Sequence, residues 1–481
     1  MGRAHDRCFS ESAWARDYGD FSMLIRMIVC SAVSLVCLRA QLSDETAAAV
    51  DKLVAKALAE SGTPAVSIAI VKDGKVALAR AYGDARLDPK TTAAAGMRFS
   101  IGSVSKQFLA GAILLAAEGG KLSLNDRVGK YLPRLTRSND ITIRQLLSHT
   151  AGYQDYYPQD YLPPFMLEPV SAQGILDRWA NKPLDFEPGT AWQYSNTGFV
   201  VAGRVLEKAT GVPAIDFLRT RIFSRLGMES VYDLDHQPLT SADAAGYIRY
   251  AIGPLHPVTP EASGWLFAAG ELAMTARDLA LWDAGLINGS VLSPQSFEEM
   301  ITPVRLKNGA PTSYALGIGV SNSNGHPRLS HGGAVSGFTS QNTIWPDLRL
   351  AVVVLSNRDG STAPERITKG LEALLLAPVQ DPDAAKLLEQ AKTILAGLQE
   401  GRLDHALFTA NGNSYFTAEV IGDYSTSLKP LGTPKSFELL RSGLRGGFTE
   451  RSYRIVFPEK TLNLTVRAAI DGKLEQYQIS E

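Results

Sequence analysis

Three cysteines serve a chain of 481 residues, and all of them, Cys8, Cys30 and Cys37, fall in the first 40 positions. No disulfide framework can therefore staple the body of the protein. Charge of one sign is also missing. Forty-eight Lys and Arg against 49 Asp and Glu leave a formal net charge of −1, without the basic patch that phosphate binding requires. Nucleic-acid partners are excluded on that ground, and nothing supports an acidic or membrane-surface partner. No apolar run is long enough to span a bilayer: the longest, Met27–Leu38, holds twelve apolar or small residues. The seven histidines show no close pair at helical spacing, so no metal site is expected, and no cofactor motif is present. There is no Gly-x-Ser-x-Gly elbow, no Ser-Asp-Asn motif, no fixed-period repeat and no low-complexity tract.

What is present begins with that short run. Arg26, the apolar stretch and Ala40 have the layout of a secretory signal, with residues 1–40 removed and an exported, periplasmic or secreted product. The 22 residues ahead of Met23 are polar and foreign to such a signal, which points to Met23 or Met27 as the start. Val29 and Val36 precede Cys30 and Cys37 where a lipid-anchored protein carries a small residue.

Beyond it, Ser43 opens an amphipathic helix that stops at Gly62. Two β-rich runs flank the turn Lys72-Asp73-Gly74, and a helix is expected over Val104–Glu118. Residues 121–310 mix short helical patterns with turns. From Thr312 the period becomes that of strands, the first of them in "YALGIGVSN" from Tyr314, and "APERITKGLEALLLA" closes the unit with a helix. The order predicts an α/β (α+β) domain over 41–377: an antiparallel sheet flanked by its N- and C-terminal helices, with a helical subdomain inserted. Residues 378–385 read as a linker. Residues 386–481 read as a small α+β unit, loosely cystatin- or NTF2-like in its helix-then-strands pattern.

The chemistry-bearing stretch is "FSIGSVSKQFLAGAILLAAEGG", residues 99–120, which sets Lys106 at the mouth of an otherwise apolar helix. Ser103 and Lys106, at i and i+3, share a helix face and are the only Ser-x-x-Lys pair in the chain. At a helix N-terminus the outward N–H groups favour developing negative charge, which suits Ser103 as a nucleophile. Desolvation of Lys106 by Phe108, Leu109 and their neighbours would lower its pKa toward a neutral amine able to move a proton. The bland alternative is a capping serine followed by a snorkelling lysine.

Two further motifs raise the first reading. Tyr194-Ser195-Asn196 is the only Tyr-x-Asn in the chain, with a phenol for proton transfer and an amide to hold a substrate carbonyl. His331-Gly332-Gly333-Ala334 places two glycines in a strand, a sign of close backbone or ligand approach, with the Ala334 N–H as a second oxyanion donor. Lys72-Asp73-Gly74 and Lys307-Asn308-Gly309 share the Lys-x-Gly shape but read as turns. His149 reads as holding a loop. Tyr153, Tyr156 and Tyr157 line a cleft or pack on their own domain, and Asn357 and Arg358 contact a substrate carboxylate or close a strand end.

Together the motifs, with the flanks "FSIGSVSKQF", "QLLSHTAGY", "EPGTAWQYSN" and "SHGGAVSGF", resemble the serine β-lactamase and penicillin-binding superfamily over residues 44–377. The resemblance is to the branch of class C β-lactamases, D-Ala-D-Ala carboxypeptidases, D-aminopeptidases and related esterases. It implies an acyl-serine mechanism on a small-molecule or short-peptide substrate. Ser103 would be the nucleophile, Lys106 and Tyr194 the proton-handling pair, and Asn196, His331, Gly333 and Ala334 would lie beside the substrate. Class C β-lactamases carry a lysine where this chain has His331. A histidine is mostly neutral above about pH 6.5 and holds an anionic β-lactam less well. A peptidase or esterase is therefore expected ahead of a true class C β-lactamase. A partly charged His331 would raise activity on anionic substrates as pH falls toward about 6. A reading from another class is a non-catalytic binder of cell-wall peptides.

Overall fold

In the computed structural model the structure describes residues 42–376 and 384–481. The expected signal segment and most of the expected linker lie outside them. The chain divides at Pro378/Val379 into two compact units.

In the first unit, helix α1 (Asp44–Ser61) is capped by Ser43, whose hydroxyl accepts the Thr46 N–H, and ends at Gly62 with φ 64. Strands β1 (Ala65–Lys72) and β2 (Lys75–Leu87) form the expected hairpin, its turn at Asp73 and Gly74 in left-handed backbone. A short β3 (Lys90–Thr92) follows. The chain then crosses to α2 (Ser105–Glu118) and through the helical insertion, which includes α3 (Asn196–Thr210) and α4 (Ala276–Ile287). It returns as β4 (Gly319–Ser323), β5 (His326–Val335), β6 (Phe338–Trp345) and β7 (Leu350–Ser356), and closes with α5 (Ala363–Leu375). The seven strands form one antiparallel sheet in the order β3-β2-β1-β7-β6-β5-β4.

Burial explains the strand sequences. Along β1, Val66, Ile68 and Ile70 pack with Val50 and Val54 of α1 and Ile367 and Leu371 of α5. Ala65, Ala69 and Val71 face the opposite core, which α2 and α4 share through Phe108, Ile113, Leu279 and Trp282. A strand covered on both faces reads as an unbroken apolar run, as "AVSIAIV" does. Helix α2 is buried over Ser105–Ala116, which accounts for a segment that is apolar all round.

Two boundaries differ from the sequence reading. The helix expected from Val104 begins at Ser105, and Gly102–Val104 form a 3₁₀ turn that carries Ser103. The strand expected from Tyr314 begins at Gly319, because the chain turns at Gly317 in left-handed backbone (φ 72).

The second unit opens with helix α6 (Ala384–Gln399), which takes up the last two residues of the span read as linker, followed by α7 (Ala418–Leu428). Strands β8 (Ser436–Arg445), β9 (Phe448–Val456), β10 (Thr461–Ala468) and β11 (Leu474–Ser480) make a four-stranded antiparallel meander. Its own core holds Leu395 and Leu398 of α6 with Ile455, Leu464 and Tyr477 of the sheet.

Candidate active site

The site sits where the turn before α2, the start of α3 and the end of β5 meet. Lys106 is 0% exposed. Its Nζ lies 3.0 Å from Ser103 Oγ, 2.8 Å from Asn196 Oδ1 and 2.6 Å from the carbonyl oxygen of Ala269. The rings that dry the amine are Tyr194 and Phe199, with centroids 5.0 and 5.4 Å from Nζ. Phe108, expected in that role, instead packs on Phe223 and Trp282. Burial brings the Lys106 pKa down to about 7, opposed in part by the charge of Asp155.

Hydrogen-bond chemistry fixes where the amine points. The oxygens of Ala269 and Asn196 can only accept, so each takes one N–H from Lys106. The remaining position faces Ser103 Oγ. On a neutral amine that position is a lone pair, directed at the serine hydroxyl.

Tyr194 lies beside Ser103, and burial pushes its phenol well above the ordinary tyrosine range, away from phenolate. His149 holds the tyrosine in place. Its carbonyl accepts the Gln193 N–H at 3.0 Å, its Nδ1 accepts the Ser195 N–H at 3.2 Å, and its ring stacks on Tyr194 at 4.2 Å. Burial keeps His149 neutral, well below the usual histidine pKa. The loop-holding reading of His149 thus describes what the side chain does.

Strand β5 approaches the nucleophile turn closely. A Cβ on Gly333 would lie 2.0 Å from the Ile101 carbonyl oxygen, and one on Gly102 (φ 51) would lie 2.9 Å from the Ala334 nitrogen. The close approach expected from the paired glycines is therefore made by Gly333, whereas a Cβ on Gly332 would meet only ordinary van der Waals contacts, the nearest at 3.5 Å.

His331 is buried in this wall. The Gly332 carbonyl, 2.6 Å from Nδ1, can only accept, so Nδ1 carries the proton. Nε2 then accepts from the Tyr314 hydroxyl at 2.7 Å. Burial, with the Lys106 charge nearby, lowers its pKa to about 4. A desolvated His331 stays neutral near pH 6, which removes the physical ground for the expected rise in activity on anionic substrates.

The cleft in front of Ser103 encloses about 880 Å³, a size suited to a small ligand. Tyr156, Tyr157, Tyr161, Leu162, Leu167 and Tyr250 make much of its wall. Its charged lining residues are Asp155, Asp359 and Glu365, with no lysine or arginine among them. Tyr156 and Tyr157 thus face the cleft, whereas Tyr153 donates to the Thr136 carbonyl at 3.1 Å and packs in the core. Asn357 and Arg358 do not line it. Asn357 Oδ1 accepts the Ala65 N–H at 2.8 Å and Arg358 donates to the Ser61 carbonyl, so both fasten a strand end. Lys307-Asn308-Gly309 forms a turn, with the Gly309 N–H donating to Leu306 at 2.8 Å. Among the described residues no group of three or more His, Cys, Asp or Glu is placed to hold a metal ion.

Three participants escaped the sequence reading: Asp155, Tyr314 and the Ala269 carbonyl. Asp155 stood inside a stretch read only for its tyrosines. Tyr314 stood at the head of an expected strand, and a backbone carbonyl leaves no mark in composition.

The Beta-lactamase family model matches residues 50–377. Penicillin-binding protein 4* of Bacillus subtilis (strain 168) is 29% identical over 336 residues, covering 66% of this chain and 73% of its own length. A D-aminopeptidase of Brucella anthropi is 29% identical over 304 residues, covering 62% of this chain, which spans only 57% of that relative. Among solved structures, a D-stereospecific amidohydrolase from Streptomyces sp. aligns at TM-score 0.59 and 26% identity, over 68% of this chain and 98% of its own. The octameric penicillin-binding protein homologue from Pyrococcus abyssi aligns at TM-score 0.60 and 22% identity, over 89% of this chain and 94% of its own, and shows a common fold. With a match across most of its first unit, this chain belongs to the beta-lactamase family.

Proposed function

We propose that the protein is a serine hydrolase that cleaves small amide or ester bonds through an acyl-enzyme on Ser103, as a peptidase or esterase in preference to a β-lactamase. The observation that carries this reading is the buried Lys106 amine, 3.0 Å from Ser103 Oγ with its other hydrogen positions tied to carbonyl oxygens. In the first half-reaction neutral Lys106 takes the Ser103 proton as Oγ attacks the carbonyl carbon. The backbone N–H groups of Ser103 and Ala334 receive the oxyanion. Tyr194 passes its proton to the departing nitrogen or oxygen and is reprotonated from Lys106. Water then cleaves the acyl-serine ester with the same base. Tyr194 acts as a relay rather than as a standing phenolate, since burial disfavours its anion.

The substrate preference rests on the walls. A neutral His331 and a lining without lysine or arginine offer no fixed positive charge to a carboxylate. The apolar lining suits a hydrophobic acyl or amine group. The names of the D-aminopeptidase and the amidohydrolase agree with an amide substrate. Export to the periplasm or medium accompanies this proposal and is checked by cell fractionation. Ser103 labelling by a fluorophosphonate, located by mass spectrometry, tests the nucleophile. Short acyl esters, D-amino acid amides, acyl-D-Ala-D-Ala and a cephalosporin, compared by kcat/KM, test the preference. An unlabelled Ser103 with hydrolysis intact in Ser103→Ala would remove the mechanism, and a cephalosporin turned over as fast as the esters would reverse the order of substrates.

A further inference from the structure

The carboxylate of Asp155 lies at the first turn of α3. Its Oδ1 accepts the Asn196 backbone N–H at 3.0 Å and the Tyr157 N–H at 3.4 Å, and its Oδ2 accepts from Asn196 Nδ2 at 3.1 Å. The Thr197 N–H also reaches it, while Ser195 Oγ caps the next amide, that of Gly198, at 3.1 Å. An anion at a helix start is favoured in any case. What sets this one apart is its second contact, to a side chain that bonds the Lys106 amine.

An asparagine amide can lie either way round, and here its two neighbours decide. Asp155 has no proton to give when ionised, so the atom facing it must be the NH₂ group. That leaves Asn196 Oδ1 facing Lys106 Nζ, at 2.8 Å. A reversed amide would turn N–H toward the ammonium and oxygen toward the carboxylate, two repulsions in a dry site. The chain Asp155–Asn196–Lys106–Ser103 thus has one polarity throughout.

We infer that Asp155 is a positioning residue, which holds the Asn196 amide and, through it, directs the Lys106 amine at Ser103. The inference rests on the acyl-serine reading and adds to it a residue that none of the three motifs contains. Asp155 acts on the base in two ways. It fixes the acceptor that occupies one amine hydrogen, and its charge supports the ammonium against the cost of burial. The other groups around Lys106 give no equal support. His149 and His331 are neutral, Tyr194 is protonated and Glu271, fully enclosed, is pushed well above the carboxylate range, whereas burial raises Asp155 only to about 6, which leaves it ionised where Lys106 titrates.

The test is Asp155→Asn in the full chain, followed by kcat, KM, the pH profile of kcat/KM and the thermal melt. The variant's side-chain NH₂ can meet that of Asn196, so the amide loses its fixed direction. The expected result is a drop in kcat of about tenfold or more with KM changed less than about threefold. The acid limb of kcat/KM is expected to move to lower pH by about half a unit or more, since the ammonium has lost its nearest anion. In the parent that limb belongs to the Asp155–Lys106 pair, which titrates together. A merely structural Asp155 would lower the amount of folded enzyme and leave the limb in place. If the asparagine variant does not fold, Asp155→Ser keeps a helix-capping oxygen without charge and is expected to show the same shift. An unmoved limb in whichever variant folds overturns the inference. If Ser103 of the parent is labelled and the limb is unmoved, only the role of Asp155 falls. An unlabelled Ser103 removes the reading beneath it.

Discussion

The Ile101 carbonyl oxygen lies 2.0 Å from the point where Gly333 would carry a Cβ, and Ser340 Oγ, which donates to that carbonyl at 2.8 Å, lies 2.4 Å from the same point. Backbone thus packs on backbone between the strand and the turn that presents Ser103. Gly333→Ala is expected to cost about 1–3 kcal/mol of stability through overpacking and to reduce kcat by displacing the turn. Gly332→Ala, with its nearest contact at 3.5 Å, is the matched control and should melt within a few degrees of the parent. Thermal melts and initial rates of the two variants decide it, and equal behaviour would refute the close-approach argument.

Lys106 should control the pH response of the rate. Activity is expected to rise with pH through about 7, where the buried amine loses its proton. Lys106→Arg, whose guanidinium does not deprotonate, should lose about 10²–10⁴ in kcat. A pH-rate profile of the parent, with single-turnover assays of the variant, reads both. Retention of most of the activity by the arginine variant would show that this group is not the base.

The same proton links stability to pH. Lys106 titrates near 10.5 when exposed and near 7 when folded, so between these values the unfolded chain binds a proton that the native one does not. The burial penalty is therefore complete below about pH 7 and is relieved as pH rises toward about 10.5. Urea melts of the parent and of Lys106→Met, at about pH 7 and about pH 9.5, should show the parent gaining relative to the variant. Parallel pH dependences would mean that the amine keeps its ordinary pKa in the folded protein.

His331 should not titrate in the range where enzymes of this kind are assayed. With a pKa near 4, its imidazole ¹⁵N shifts are expected to stay constant from about pH 8 to about pH 5.5. Tyr314→Phe removes the hydroxyl that Nε2 accepts and leaves a buried lone pair, at a cost of about 1–3 kcal/mol. Imidazole ¹⁵N shifts that move with the midpoint of a free histidine would contradict the buried, neutral ring.

The three motifs were legible in the chain because their chemistry depends on residue type and short spacing: Ser103 with Lys106, Tyr194 with Asn196, and the glycines after His331. The strands around the sheet were legible for a similar reason, since Ile68 and Val352 declare burial by composition. Asp155 was not, because its contact with Asn196 joins positions 41 apart through a loop, and no periodicity records that. Nor was the source of dryness around the lysine: Phe108 is its helix neighbour, but the rings nearest the amine belong to Tyr194 and Phe199.

By itself the sequence determined which groups are available, a serine, one amine, a phenol and a histidine in place of a lysine, and that the amine would stand at the start of a helix with a long apolar run behind it. Only the tertiary structure decided their protonation. A pKa is set by the water excluded and the charges and dipoles within a few ångströms, and those come from segments scattered along the chain. The turn at Ser103, the start of α3 and the end of β5 meet solely because the sheet and its helices bury their apolar faces together.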